Sequence, residues 1–366
     1  MKKKILITVV LLALAALIYL QFKTWRKFDW QSFREQTEDV NIGLIALGVA
    51  IIHFDYYLRA LRWKILLRPV CDAKATRLLA PTMIGFTALA LLGRPGEFIR
   101  PFLIARKLKL TMSSQLAVWV VERLFDVGAF ALIMAVNILW SAEHLKDLPG
   151  FAEGATKKIF GIQVSSFAIF EVSGFGLLIG VMVAAFFAFR VRKNPARVAG
   201  ICERIFKPFS AKFALGAGRR VHTFGEGLNT IQDAKSFFQA FGLSLVLWLT
   251  IGATYVCVTR AYADIGQLPP SEALLLTGAS VAGGTLQLPV VGGGSQLATI
   301  GTLVGVFDYP KELAISCGMM LWLVTFMSVI PAGLILAHFE RVSLTKLEAE
   351  SQEEEKKALE ESGQSG

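Results

Sequence analysis

Six apolar stretches limit what this chain can fold into: Ile5 to Leu20, Ile42 to Leu58, Gln115 to Trp140, Val172 to Phe189, Phe237 to Val258 and Leu313 to His338. Crossing a bilayer core takes about 20 apolar residues of helix. Inside that core, every backbone N–H and C=O has to be satisfied by the protein itself, which a helix does within one segment. Hydrophobic residues make up 54% of the 366, and the mean hydropathy is +0.55. That is too apolar for an ordinary soluble domain. The expected class is an all-α integral membrane protein with about six transmembrane helices. The 27 Phe residues suit lipid-facing surfaces and helix packing and require no cofactor.

Two further apolar segments are interrupted. Ala80 to Leu92 is too short to cross and breaks into Gly93, Arg94, Pro95, Gly96, Glu97, Arg100 and Pro101. Its continuation, Pro101 to Ala105, is also short and ends in Arg106, Lys107 and Lys109. The second interrupted segment runs from Glu272 to Leu288 and from Leu297 to Phe307, around the sequence PVVGGGSQ at Pro289 to Gln296. Irregular backbone at membrane depth survives only where protein or a watery cavity covers it. We expect re-entrant hairpins near 80–110 and 272–307, the first from the inner face and the second from the outer. Span, hairpin and span then recur in two halves with opposite sense. Such an inverted repeat, with Gly/Pro-interrupted segments in matching places, points to a transporter's binding site. Two conventional pairs of tilted helices are the alternative.

Charge sets the orientation. The chain carries a net +10, but the tail from Glu340 to Gly366 has eight acids and four bases, so the remainder is +14. In a membrane protein such an excess belongs to cytoplasmic loops and to anionic inner-leaflet lipids. No nucleic-acid module is present, and nucleic acid is not an expected partner. MKKK at the start places the N-terminus inside, and the lack of a small-x-small cleavage site predicts a retained first helix. The basic loop from Arg59 to Arg77 falls inside and the near-neutral 141–171 loop outside. Arg190 to Arg220 has nine bases and one acid, with apolar residues at Val198, Ile201, Ile205 and Phe209. A basic amphipathic segment within 190–235 therefore lies on the inner leaflet or packs beneath the bundle. The expected organisation is a membrane domain, 1–339, followed by an acidic tail, 340–366. The protein would be multi-pass in the cell's inner (cytoplasmic) membrane, with both termini cytoplasmic. Cys71, Cys202, Cys257 and Cys317 form no C-x-x-C pair and read as buried thiols. His53, His144, His222 and His338 are too scattered to suggest a ligand set, so no metal or cofactor is expected.

Some charges stand where lipid would reject them. Glu122, Arg123 and Asp126 lie within one span, and each charge costs about 2.5–3.5 kcal/mol at a helix centre. Glu122 and Asp126, four apart, share a helix face. Asp55, Arg59 and Arg62 form a stripe at the end of the second span, and Arg94, Glu97 and Arg100 lie on the first hairpin. Packed together, these residues would gather five arginines and four acids. Guanidinium matches phosphate oxygens bidentately, and the acids keep an empty site from being an isolated positive charge. Such a site suits an anionic lipid head group or a phosphate-linked carrier; an ion-pair network that only locks the hairpin is the competing reading. The second hairpin offers Gln287, Ser295 and Gln296 beside Gly292, Gly293 and Gly294, a run that fits either anion binding by free N–H groups or close helix packing.

GRPGEFIR at Gly93 to Arg100, VERLFD at Val121 to Asp126 and RALRWKIL at Arg59 to Leu66 together resemble the transmembrane region of lysylphosphatidylglycerol synthases, also described as flippase-like integral membrane proteins. The resemblance covers about Ile5 to Phe339. In bifunctional members this region moves aminoacylated phosphatidylglycerol between leaflets, and a separate soluble domain makes that lipid. For this chain the resemblance implies the membrane unit without the soluble synthase domain, and no aminoacyl transfer. It maps the family motif onto Arg62, Arg94, Glu97, Arg100, Glu122, Arg123 and Asp126. One departure is the Gly-rich hairpin. Many relatives end it in a glutamate, whereas PVVGGGSQL has Gln296 there, and any proton-coupled role for that acid is lost.

The function expected from these observations is a flippase or transporter moving an anionic or phosphate-linked lipid between leaflets. Its partners would be membrane phospholipid or a lipid-linked substrate, and a homo-oligomer is admitted. The chain has no P-loop to hydrolyse ATP. The alternative is a membrane enzyme or accessory subunit acting on lipid or glycolipid intermediates. No H-E-x-x-H, D-x-D or serine elbow supports that alternative.

Overall fold

The computed structural model describes residues 30–151, 156–159, 162–207, 234–266, 268–284 and 293–340. The expected first span, Phe209, Gln287, the centre of the Gly-rich stretch and the acidic tail beyond Glu340 lie outside the described residues. After a short α1 (Trp30–Glu38), the Asn41 side chain accepts the Leu44 amide and starts α2 (Ile42–Leu67). This 26-residue helix is about 39 Å long at 1.5 Å per residue. Among the described residues, four helices are long and apolar enough to cross a membrane: α2, α3 (Ala75–Leu92), α9 (Ala234–Arg260) and the continuous run Lys311–Phe339. The protein is therefore a multi-pass membrane protein. The expected spans around Gln115–Trp140 and Val172–Phe189 also form long helices, α5 (Met112–Trp140) and α7 (Ser166–Lys193).

The first interrupted segment departs from its expectation. Its leading arm is not short, because α3 begins at Ala75 and its 18 residues reach about 27 Å. Thr76 and Arg77 occupy its first turn, where polar residues are tolerated, and the helix runs on through Pro81, which lacks an N–H for the Arg77 carbonyl and crowds it with its ring. Gly93 ends α3 with φ 72°, its amide bonding to the Leu89 carbonyl. A 3₁₀ turn, Arg94–Phe98, then reverses the chain into α4 (Ile99–Leu108), which runs back along α3. Two glycines make that approach possible. A Cβ on Gly96 would lie 2.3 Å from the Ala88 oxygen, and one on Gly85 would lie 2.4 Å from the Arg100 Cβ.

Downstream of α5 come the short α6 (Ala142–Lys146) and a two-stranded antiparallel ribbon, β1 (Thr156–Ile159) and β2 (Ile162–Ser165), an addition to an otherwise helical fold. α8 (Pro195–Phe206) forms within the basic segment. Its Val198 and Ala199 are buried while Ile201 is half exposed, so the helix packs beneath the bundle along one edge only. The second interrupted segment gives α10 (Pro270–Gly284) and α11 (Gly294–Gly305), 15 and 12 residues, each shorter than a bilayer. They pack so closely that a Cβ on Gly283 would fall 2.2 Å from the Gly294 oxygen. The last long helix consists of α12 (Lys311–Trp322), a π turn at Leu323–Met327 and α13 (Val329–Phe339). Its π turn lies just ahead of Pro331, which has no N–H to continue the regular ladder.

Burial falls into two main apolar clusters. One joins Ala60, Trp63 and Leu66 of α2 to Leu78, Ile104, Val121, Phe125 and Ala240. The other joins Tyr255 and Val258 of α9 to Tyr262, Leu276, Leu303 and Leu321, with Leu44, Ile45 and Val49 of α2 packed against it. α2 and α9 therefore run antiparallel, with α3–α4 packed at one end of the pair and α10–α11 at the other.

Candidate functional site

A belt of charge is set among the residues of the first cluster. Arg62 is fully buried and reaches three partners: Nη2 donates to Glu122 Oε1 at 2.7 Å, and Nη1 to Asp126 Oδ1 at 2.5 Å and Ser244 Oγ at 2.7 Å. Helical spacing makes this possible, since Glu122 and Asp126 are one turn apart on α5 and face α2 together. Arg100, the second residue of α4, donates both terminal nitrogens to the two oxygens of Glu122, Nη1 to Oε1 at 3.2 Å and Nη2 to Oε2. Arg123 holds Asp126 Oδ2 at 3.2 Å and lies 3.7 Å from Glu122 Oε2. Two turns back on α2, Asp55 accepts from Arg59 Nε at 2.7 Å and from the Thr250 hydroxyl at 3.0 Å.

Aromatic rings hold the guanidinium groups in place. Arg100 lies over Trp63 at 4.4 Å and over Phe86 at 5.3 Å, and Arg59 lies over Phe86 at 4.9 Å. Such contacts strengthen when the cation is desolvated. Trp63 is itself fixed, its Nε1 donating to the buried Gln115 at 3.1 Å. Arg59, Arg62, Arg100 and Arg123 face Asp55, Glu122 and Asp126, an excess of one positive charge. Glu97 balances it from the wall of a small cavity of about 30 Å³ that it shares with Phe86, Arg100, Trp119 and Arg123. Here the network opens outward. The Arg123 side chain is 42% exposed, while Glu122 is fully buried. The buried Nε atoms of Arg62 and Arg123 have no hydrogen-bond partner among the described residues.

A family model described as the lysylphosphatidylglycerol synthase TM region matches residues 5–333. The chain belongs to that family. Searches among curated proteins and among solved structures gave no match. Family membership covers α1 to α12 and the start of α13, so the charged belt lies wholly within the lysylphosphatidylglycerol synthase TM region.

Of the site residues expected from sequence, Arg59, Arg62, Arg100, Glu122, Arg123 and Asp126 come together, and Glu97 lines their cavity. Arg94 occupies the 3₁₀ turn, and its side chain lies outside the described part. Ser295 and Gln296 are elsewhere. Ser295 shares a 2.5 Å hydrogen bond with Ser280, and Gln296 is buried at the start of α11. Sequence reasoning missed Trp63, Gln115, Ser244 and Thr250. Ser244 and Thr250 are single hydroxyl residues in a long apolar helix, and such residues usually satisfy themselves on their own backbone. Both do so here, on Ala240 and Leu247, while also serving the site.

Proposed function

We propose that this protein moves an anionic or phosphate-linked lipid between leaflets, with the arginine cluster as its head-group site. The observation that carries this reading is Arg123, half exposed and with an unpartnered Nε, beside Arg100 and Glu97 on one cavity. A network serving structure alone gives no reason to leave one of its arginines half exposed on a cavity wall. Guanidinium groups with spare donors are suited to phosphate oxygens.

In this reading α3–α4 and α10–α11 are the two re-entrant elements of an inverted arrangement, the first at the cytoplasmic end. Their packing at opposite ends of α2 and α9 supports it. A cavity of about 30 Å³ holds little more than one water, so the conformation described here is closed. Admitting a head group requires α4 to draw Arg100 away from Glu122. The phosphate then takes the place of the Glu122 carboxylate on Arg100 and Arg123, while Arg62 keeps Glu122. Movement is downhill or coupled to a gradient, since no phosphate-binding loop is present.

The test is lipid movement in reconstituted vesicles carrying a fluorescent anionic phospholipid, followed by quenching from outside. Arg123→Gln removes a charge-assisted contact worth about 1.5–3 kcal/mol. It is expected to slow movement about 10- to 100-fold while the thermal midpoint in detergent stays put. Unchanged movement of every anionic lipid tried would refute the assignment.

A further inference from the structure

Trp248 stands in the middle of a span. The 27-residue α9 has 14 residues before Trp248 and 12 after it, so Trp248 sits about 20 Å of helix from either end. Tryptophan in a membrane protein ordinarily belongs at the interface, where its N–H is wet. Here Nε1 is buried and has no hydrogen-bond partner among the described residues. Trp63, by contrast, gives its N–H to Gln115.

Its neighbours follow from helical spacing. Ser244 on α9 and Asp126 on α5 share Arg62 Nη1. Four residues on from each are Trp248 and Phe130, so this pair lies one turn, about 6 Å, beyond that contact. The two rings meet with centroids 4.8 Å apart, tilted by 50°. α10 reaches the same level, since a Cβ on Gly278 would lie 3.9 Å from Phe130 Cζ and 2.8 Å from Met134 Sδ. Two residues further along α10, Ser280 shares a hydrogen bond with Ser295 of α11. The ring pair thus occupies the seam that leads from the arginine cluster to the second interrupted segment.

We propose that the Trp248 N–H is the mid-membrane contact of the travelling head group, donating to a phosphate oxygen after that group leaves Arg100 and Arg123. Given the transport reading, on which this rests, Trp248 is a second station for the phosphate. Sites in membrane transporters gather near the bilayer midplane, and a head group in passage must cross that level. An indole N–H donates and never accepts, so it suits an oxygen-rich anion. Being neutral, it holds phosphate less strongly than guanidinium does and lets it leave. In the closed conformation the Trp248 and Phe130 rings close the seam, and passage requires them to part.

The experiment follows fluorescent phosphatidylglycerol in vesicles reconstituted with the full chain, and the thermal midpoint in detergent. Trp248→Phe keeps a ring against Phe130 and removes the N–H. Benzothienylalanine placed at position 248 keeps the whole bicyclic ring and replaces only the N–H by sulfur. Both are expected to slow movement about 10-fold, the loss of one hydrogen bond to a charged group. The benzothienylalanine protein should keep the wild-type midpoint, since the N–H has no partner to lose. Wild-type movement with benzothienylalanine would overturn the proposal whatever Trp248→Phe does, because the ring alone would then suffice. If Arg123→Gln is slow in the same assay, the transport reading survives that result, whereas wild-type protein that moves no anionic lipid would sink both. Uptake of labelled inorganic phosphate by the same vesicles, lost in both position-248 variants, would overturn the proposal in favour of a free anion.

Discussion

Arg100 and Glu122 meet as a two-pronged fork, and their helices are held in register by that contact and by Arg62 from the opposite side. Glu122 is the shared acceptor of two buried cations; removing its charge leaves Arg100 without its carboxylate, while Arg62 keeps Asp126. Glu122→Gln is expected to cost about 3–5 kcal/mol in unfolding experiments in detergent. In Arg100→Met/Glu122→Met the losses should fall short of their sum by about 1–3 kcal/mol, because neither charge is then left alone. Strict additivity would mean that the fork contributes nothing.

Trp63 acts on the site through its ring and its N–H. Trp63→Phe keeps a ring beneath Arg100 but leaves the buried Gln115 oxygen without its donor. The expected cost is about 1–3 kcal/mol, with lipid movement slowed less than by Trp63→Leu, which removes the ring as well. Joining Gln115→Met to Trp63→Phe should recover most of the stability, since no polar group then stays unpaired.

Glycines divide into those that are crowded and those that are not. A Cβ on Gly96 would meet the Ala88 backbone at 2.3 Å, and one on Gly333 would lie 1.8 Å from Thr87 Oγ1. Gly96→Ala and Gly333→Ala are expected to lower the thermal midpoint by several degrees and to slow lipid movement, because α4 and α13 must shift off α3. Gly176→Ala meets nothing within 4 Å and should be neutral or raise helix stability by up to about 1 kcal/mol. Equal effects at all three positions would show that the α3 contacts are not tight.

Sidedness is open to a direct check. α5 runs from the cluster around Trp63 to the other end, where Asn137 bonds the Ser271 carbonyl. Single cysteines at Lys74 and Glu143, introduced after replacing the four native ones, are expected to label from opposite faces of sealed vesicles. The basic side should be the cytoplasmic one. Labelling of both from one face would overturn the orientation.

Much of the site was legible because membrane depth makes charge conspicuous. Glu122 and Asp126 stand out in an apolar run, and the spacings of four and three among Asp55, Arg59 and Arg62 already put those three on one stripe. Trp63 and Gln115 were not legible. A tryptophan beside an arginine is ordinary at a membrane interface, and only tertiary packing turns its ring toward Arg100 and its N–H toward a residue 52 positions away. The first arm looks short from sequence because its apolar run begins only at Ala80, whereas the helix begins at Ala75. Packing against α2 and α13 carries the helix through Pro81 despite the lost hydrogen bond and the crowded carbonyl.

The sequence by itself determined the membrane class, the break after Leu92, and which charges needed partners. Those follow from local rules, because the energy of moving a residue into lipid depends chiefly on that residue and its near neighbours. Only the tertiary structure decided who pairs with whom. Arg62 could have met Asp55, one turn pair away on its own helix, yet it reaches Glu122, Asp126 and Ser244 on two others. That choice belongs to the whole bundle, since the close approach of backbones at Gly85, Gly96 and Gly333 sets which side chains lie within reach.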